Sequence, residues 1–273
     1  MTKKIEKIDY AAEFAKTAKM LEGDKLNAIV LAPSGGGKSS LAGTFGVKTL
    51  YLYGSSEAHG PRNAMAYSNC EVLPICIDAG RDPDQVLEFL SNILQDSEFL
   101  KDFEAVVIDS VNALEVIIKE SNKFKLSCLT DKGKINSFVE SDRLLSIFND
   151  ILKDLRNTGK HTLMTCVLDA QQIDSETGEI LESTPRISTY KVAEHIIMQF
   201  GDVFTVGKLT IGEKEGYRIQ FGGKISKTSK DAAGRIKKLI NFNPRLAGYG
   251  KELPDHIPAN LSKLLMLKQG KSE

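Results

Sequence analysis

No run of apolar residues in this 273-residue chain reaches the roughly 20 needed to cross a bilayer. The first ten residues, Met1–Tyr10, carry charges but no apolar core and no small-residue cleavage site, so no secretory signal is expected. Cysteine is scarce. Cys70, Cys76, Cys128 and Cys166 never fall at CxxC spacing, which argues against a zinc ribbon and a disulfide framework and fits a reduced, cytoplasmic setting. His59, His161, His195 and His256 show no ligand spacing either. Internal repeats and low-complexity tracts are absent. Net charge is absent as well, with 36 Lys+Arg balancing 36 Asp+Glu. Taken alone, that balance speaks against a polyanionic partner.

The balance is a cancellation. Residues 78–120 hold eleven acids against Arg81, Lys101 and Lys119, a net of −8. Residues 203–251 hold eleven bases against Glu213, Glu215 and Asp231, a net of +8. A neutral total therefore excludes nothing about nucleic acid. Composition is otherwise that of an ordinary globular protein, 41% hydrophobic and 26% charged.

The apolar pattern alternates between two periods. Residues 10–21 place Tyr10, Phe14, Ala18 and Leu21 on one helical face. Strands are expected at Leu26–Leu31, Thr49–Tyr53, Val72–Ile77, Ala105–Ile108 and His161–Val167. Helices are expected over Ser39–Phe45, from Asp82-Pro83-Asp84-Gln85 through Leu94, and over Val111–Phe124, Phe138–Arg156 and Thr189–Phe200. Val203–Ile211 and Tyr217–Phe221 read as a β-hairpin. Lys125–Asn136 and Asp169–Ser188 read as long polar loops. Apolar strands alternating with helices predict an α/β fold with a mainly parallel sheet covered on both faces. The expected division is an arm at 1–24, a core at 25–240 and a tail with a short helix at 241–273.

The most informative run is Ala32-Pro33-Ser34-Gly35-Gly36-Gly37-Lys38-Ser39, between an apolar strand and a helix. That context is the one a phosphate-binding P-loop requires. Ala32 stands where the strict pattern has Gly, at the end of the strand and away from the phosphates. Glycines let the N–H groups of Gly35, Gly36, Gly37 and Lys38 converge on phosphate oxygens. The following helix adds its positive end. Pro33, Ser34, Gly35, Gly36, Gly37, Lys38, Ser39 and Ser40 are thus the expected nucleotide contacts, with Lys38 on the β- and γ-phosphates and Ser39 on Mg2+. Val106-Val107-Ile108-Asp109-Ser110 is an apolar strand tipped by an acid. Beside a P-loop, that acid is the expected second holder of Mg2+, although it reads equally simply as a helix cap.

These features together resemble the RecA-like P-loop ATPases. The Asp-Ser tip of the strand, the second strand Leu50-Tyr51-Leu52-Tyr53 with Gly54-Ser55-Ser56-Glu57-Ala58-His59 after it, and the Asp82-Pro83-Asp84 helix start follow the order of that family. The resemblance spans about residues 25–240. It is closest to the small single-domain ATPases of bacteriophages, often called phage nucleotide-binding proteins, that are implicated in single-strand annealing and recombination. It implies ATP and Mg2+ as cofactors, a homo-oligomer (ring or filament), single-stranded DNA as substrate and a single-strand-binding protein as a further partner. It gives Glu57 the role of the base that polarises attacking water, though the same residue reads as a solvated loop acid. It also implies a polar γ-phosphate sensor near the tip of the 161–167 strand, where Gln171 is the candidate, with Gln172 and Asp169 as alternatives. The loop that follows matches a DNA-contacting loop, but its acids Asp174, Glu176, Glu179 and Glu182 oppose that use.

The stretch Lys224–Lys238 carries a net of +5. It reads as a phosphate-backbone surface, as an in-trans finger through Lys227, Lys230 or Arg235 reaching a neighbour's γ-phosphate, or as a solvated loop. Leu261, Leu264 and Leu265 read as core or interface. The expected activity is DNA-stimulated ATP hydrolysis in phage recombination or annealing. Another phage DNA motor, a helicase loader, a small-molecule kinase and a barely hydrolysing scaffold are the alternatives. No metal other than Mg2+ is expected.

Overall fold

The computed structural model describes residues 25–130, 133–230, 236–242, 244–247 and 253–269. The expected arm at 1–24 and Arg235 lie outside the described residues. In chain order the strands are β1 (Asn27–Ala32), β2 (Thr49–Tyr53), β3 (Val72–Cys76), β4 (Ala105–Asp109), β5 (His161–Ile173), β6 (Ile180–Pro185), β7 (Asp202–Ile211), β8 (Lys214–Gln220), β9 (Lys224–Lys230), β10 (Ile236–Phe242) and β11 (His256–Pro258). The α-helices are α1 (Lys38–Ala42), α2 (Gly60–Ala66), α3 (Pro83–Gln95), α4 (Ser97–Leu100), α5 (Val111–Glu120), α6 (Asn122–Ser127), α7 (Ser137–Asn157), α8 (Tyr190–Met198) and α9 (Leu261–Lys268).

The sheet order is β3-β2-β4-β5-β1-β7-β8-β11, and the strands from β3 to β7 are all parallel. β8 turns back antiparallel to β7, as the hairpin pattern predicts, and β11 adds to β8. Pro74 lies in β3, which among the described residues pairs only with β2, an edge position where a missing N–H is tolerated. Because side chains alternate along a strand, each central strand feeds two cores. Ile29, Leu31, Leu50, Leu52, Val106 and Ile108 pack under α3, α5, α7 and α8. Ala28, Val30, Tyr51, Ala105, Val107 and Leu163 face Leu41, Phe45, Ala64, Leu261 and Leu264. The start of α3 carries the expected capping box: Gln85 N–H donates to the Asp82 carboxylate, and Asp82 N–H to the Gln85 side chain.

Several expectations need correction. The loop expected at Asp169–Ser188 is a hairpin: β5 runs on to Ile173 and pairs antiparallel with β6. Its turn is closed by Asp174, whose Oδ1 accepts from Glu176 N–H and Thr177 N–H, and by Gly178 at φ 76°. The single helix expected over Val111–Phe124 is two, because Ser121 ends α5 and its side chain caps α6 through Phe124 N–H. α6 also takes the first part of the loop expected at Lys125–Asn136. The solvated-loop reading of the basic stretch gives way to β9 and β10, paired antiparallel, with β9 parallel to β6. β10 crosses residue 240, and α9 buries Leu261 and Leu264, in line with the core reading of those leucines.

Candidate functional site

β1 delivers the chain, fully buried from Ala28 to Ala32, to a turn at Pro33–Gly37 and into α1 at Lys38. Gly35 and Gly37 have φ of 74° and 90°, the left-handed region where a side chain is strained. Gly36 is restricted by space, since a Cβ there would sit 2.9 Å from the Pro33 carbonyl oxygen. The Gly36 N–H donates to that same oxygen at 2.9 Å, so it closes the loop on itself and is not one of the outward-converging donors expected of it. Lys38 is buried, and its Nζ donates to Pro33 O at 3.3 Å. Ser34 is exposed, and Ser39 and Ser40 are half-buried in α1. No side chain caps the N-terminus of α1.

Beneath this loop lies the acid at the end of β4. Asp109 is 1% exposed and receives three hydroxyls. Ser39 Oγ donates to Oδ2 at 2.9 Å, Tyr51 Oη donates to the same oxygen, and Thr165 Oγ1 donates to Oδ1. Strand parity explains the meeting. Tyr51 opposes Val107, and Val107 opposes Leu163, so Tyr51, Asp109 and Thr165 share the sheet face that α1 covers. Gly60, opening α2, lets backbone approach: a Cβ there would lie 2.6 Å from Asp109 Oδ2, 2.8 Å from Tyr51 Oη and 3.2 Å from Ser39 Oγ. Burial and the Asp109 charge hold the Tyr51 phenol far above its usual pKa, so it stays a donor.

Glu57 hangs beside this centre in the short turn after β2. Ser110 Oγ donates to its Oε1 at 3.1 Å. Its pKa is raised, first by burial and then by the Asp109 charge, while the Ser110 hydrogen bond and the Lys38 ammonium pull it down. Asp78, just beyond β3, anchors the turn, accepting from Ser55 N–H at 2.8 Å and Ser55 Oγ at 2.7 Å. Burial raises the Asp78 carboxyl, but hydrogen bonds from Ser55 and Cys76 outweigh it and the net shift is downward. On the other side, α5 tethers the turn between β6 and α8. Asn112 Nδ2 donates to Arg186 O at 2.5 Å, and Glu115 accepts from Ser188 N–H at 3.1 Å. Arg186 forks onto Asp169.

The fold therefore brings together Lys38, Ser39, Asp109 and Glu57. Thr165 is level with Asp109, and Gln171 lies six residues further along β5, roughly 20 Å at strand rise. Lys227 and Lys230 fall on β9, in the sheet branch that leaves through β6. The sequence reading missed Tyr51, Thr165, Gly60 and Tyr217. Tyr217, on β8, donates its hydroxyl to Gly35 O at 3.2 Å and lays its ring 3.0 Å from where a Gly37 Cβ would be. Parity along the three strands is the signal that finds Tyr51 and Thr165.

The P-loop strand and the acid-tipped strand are separated by one strand, β5, and the chain leaves β1 toward β2 on one side before laying β7 on the other. Ligands of open α/β sheets bind at such switch points, beyond the carboxyl ends of the strands. The fold is α/β, a mainly parallel sheet between helices, with the Pro33–Gly37 turn at the carboxyl end of β1. No family model and no curated protein matches the chain. Among the matching solved structures is flagellar accessory protein FlaH from Methanocaldococcus jannaschii, at 15% identity and a TM-score of 0.38, covering 85% of this chain and 92% of that one. Among the described residues, no helix is long and apolar enough to cross a membrane.

Proposed function

We propose that the chain is a Mg2+-dependent ATPase of RecA-like type that works as a homo-oligomer on single-stranded DNA in the cytoplasm. The observation that carries this reading is the Ser39–Asp109 hydrogen bond under the P-loop, with Glu57 held one residue away on Ser110. Ser39 and Asp109 offer only hard oxygen donors, which suits Mg2+. The ion would supply charge neutralisation between β- and γ-phosphates. Lys38 would swing from Pro33 O to the phosphates. Glu57, with its raised pKa, would accept the proton of the attacking water. Glu57→Gln should slow hydrolysis by about 10²–10⁴-fold while leaving ATP binding in place. Unchanged turnover in that variant would remove Glu57 from the mechanism.

The oligomer and the DNA rest on charge. The acidic segment lies in the half of the sheet holding β4, α3 and α5, and the basic segment runs through β7 to β10 on other branches. Segments of opposite charge on one subunit suit head-to-tail contacts. Lys227, Lys230 and Arg235 remain the proposed in-trans or phosphate-contacting bases. The role in phage recombination or annealing, beside a single-strand-binding protein, is supported by the motif order set out above. Single-stranded DNA should stimulate hydrolysis, and the stimulation should fade as salt rises. Stimulation indifferent to salt would argue against a phosphate-backbone contact.

A further inference from the structure

A buried carboxylate is costly unless its lone pairs are filled. Asp109 meets that demand with Ser39, Tyr51 and Thr165. The three donors differ in kind. Ser39 stands in the P-loop helix, where its oxygen can face a metal while its proton stays on Asp109. Tyr51 and Thr165 stand in the sheet, 0% exposed, on strands that flank β4 on either side. Neither comes from the P-loop, and each takes a different carboxylate oxygen. Gly60 packs against the same hydroxyl: a Cβ there would lie 2.8 Å from Tyr51 Oη.

We propose that Tyr51 and Thr165 are positioning residues that set the rotation of Asp109 for the metal. This inference rests on the nucleotide-site reading above and deepens it. Held from β2 and β5 at once, the carboxylate cannot rotate about its Cβ–Cγ bond. Oδ2 accepts from both Ser39 and Tyr51, so the lone pair left on Oδ1 beside Thr165 has its direction fixed before metal and nucleotide arrive. Hydrogen bonds to a metal-holding carboxylate from outside the metal's own shell typically change metal affinity by about 10–100-fold.

The test is a Mg2+ titration of fluorescent mant-ATP binding on the full chain, with a second set of affinities in EDTA. Tyr51→Phe keeps the ring and removes only the hydroxyl. Thr165→Val does the same from β5, and Thr165→Ser restores that hydroxyl. In Tyr51→Phe and Thr165→Val, half-saturating Mg2+ should rise about 10–100-fold, with affinity in EDTA within about twofold of wild type. Thr165→Ser should behave as wild type. Bound Mn2+, read by its spin-resonance signal, should weaken in parallel. A purely structural role predicts a lower Tm with a superimposable Mg2+ curve, and that result overturns the proposal. A wild-type chain whose mant-ATP binding ignores Mg2+ overturns the nucleotide-site reading itself.

Discussion

Asp109 shows how closely this site is built. Its carboxylate touches side chains from α1, β2 and β5, and Gly60 leaves no room for a methyl group beside it. Gly60→Ala should therefore displace α2 or rotate Asp109, costing about 1–3 kcal/mol by urea denaturation and weakening Mg2+-dependent nucleotide binding. A second residue reports on pH. His161 Nδ1 accepts from Leu26 N–H at 3.0 Å, which requires an unprotonated nitrogen. Burial, and then Lys25 and Lys268, push its pKa from 6.5 down to about 4. Between those values the unfolded chain binds the proton and the folded chain does not, so stability falls as pH drops from 6.5 toward 4. Thermal melts across that range should show this loss, and His161→Asn should flatten it. At this scale the P-loop residues and Asp109 were legible in the sequence, because each lies in a contiguous motif. Tyr51, Thr165 and Gly60 were not, because they meet Asp109 only through strand register.

Elements were read best where local chemistry decides them. The α3 capping box and the β7–β8 hairpin follow from neighbouring residues, and both formed as expected. The β5–β6 hairpin was hidden because its strands are polar and held by pairing, with Arg186 on Asp169 and an Asp174 turn. The C-terminal helix α9 was recognised but its anchorage was not. Lys268 Nζ reaches Asp202 at 2.8 Å, with the two side chains 8% and 0% exposed, and Asp202 also accepts from Asn27 N–H and Ala247 N–H. Removing one member strands a buried charge. Asp202→Ala or Lys268→Met should each cost about 3–5 kcal/mol in urea, and a loss below 1 kcal/mol would show that α9 is not latched there. Tyr217, brought to the P-loop by β8, should matter to the loop more than to the fold: Tyr217→Ala should weaken nucleotide binding with little change in Tm.

The whole molecule is neutral only in sum. Its charge is divided between the acidic half around β4 and the basic run through β7–β10. That division was fully legible in the sequence, whereas the side of the sheet each half occupies was not, because strand order is set by crossovers. A head-to-tail assembly held by these charges should lose subunits as salt rises, as sedimentation would show, and an oligomer unchanged by salt would refute that basis for assembly. All of this depends on one claim, that the cradle of Lys38, Ser39 and Asp109 turns over ATP. The direct measurement is phosphate release from ATP with Mg2+ by the wild-type chain and by Lys38→Ala. The account predicts steady release by the wild type and none above background by the variant. Equal turnover in the two would contradict it, as would a wild-type chain that releases no phosphate with or without single-stranded DNA.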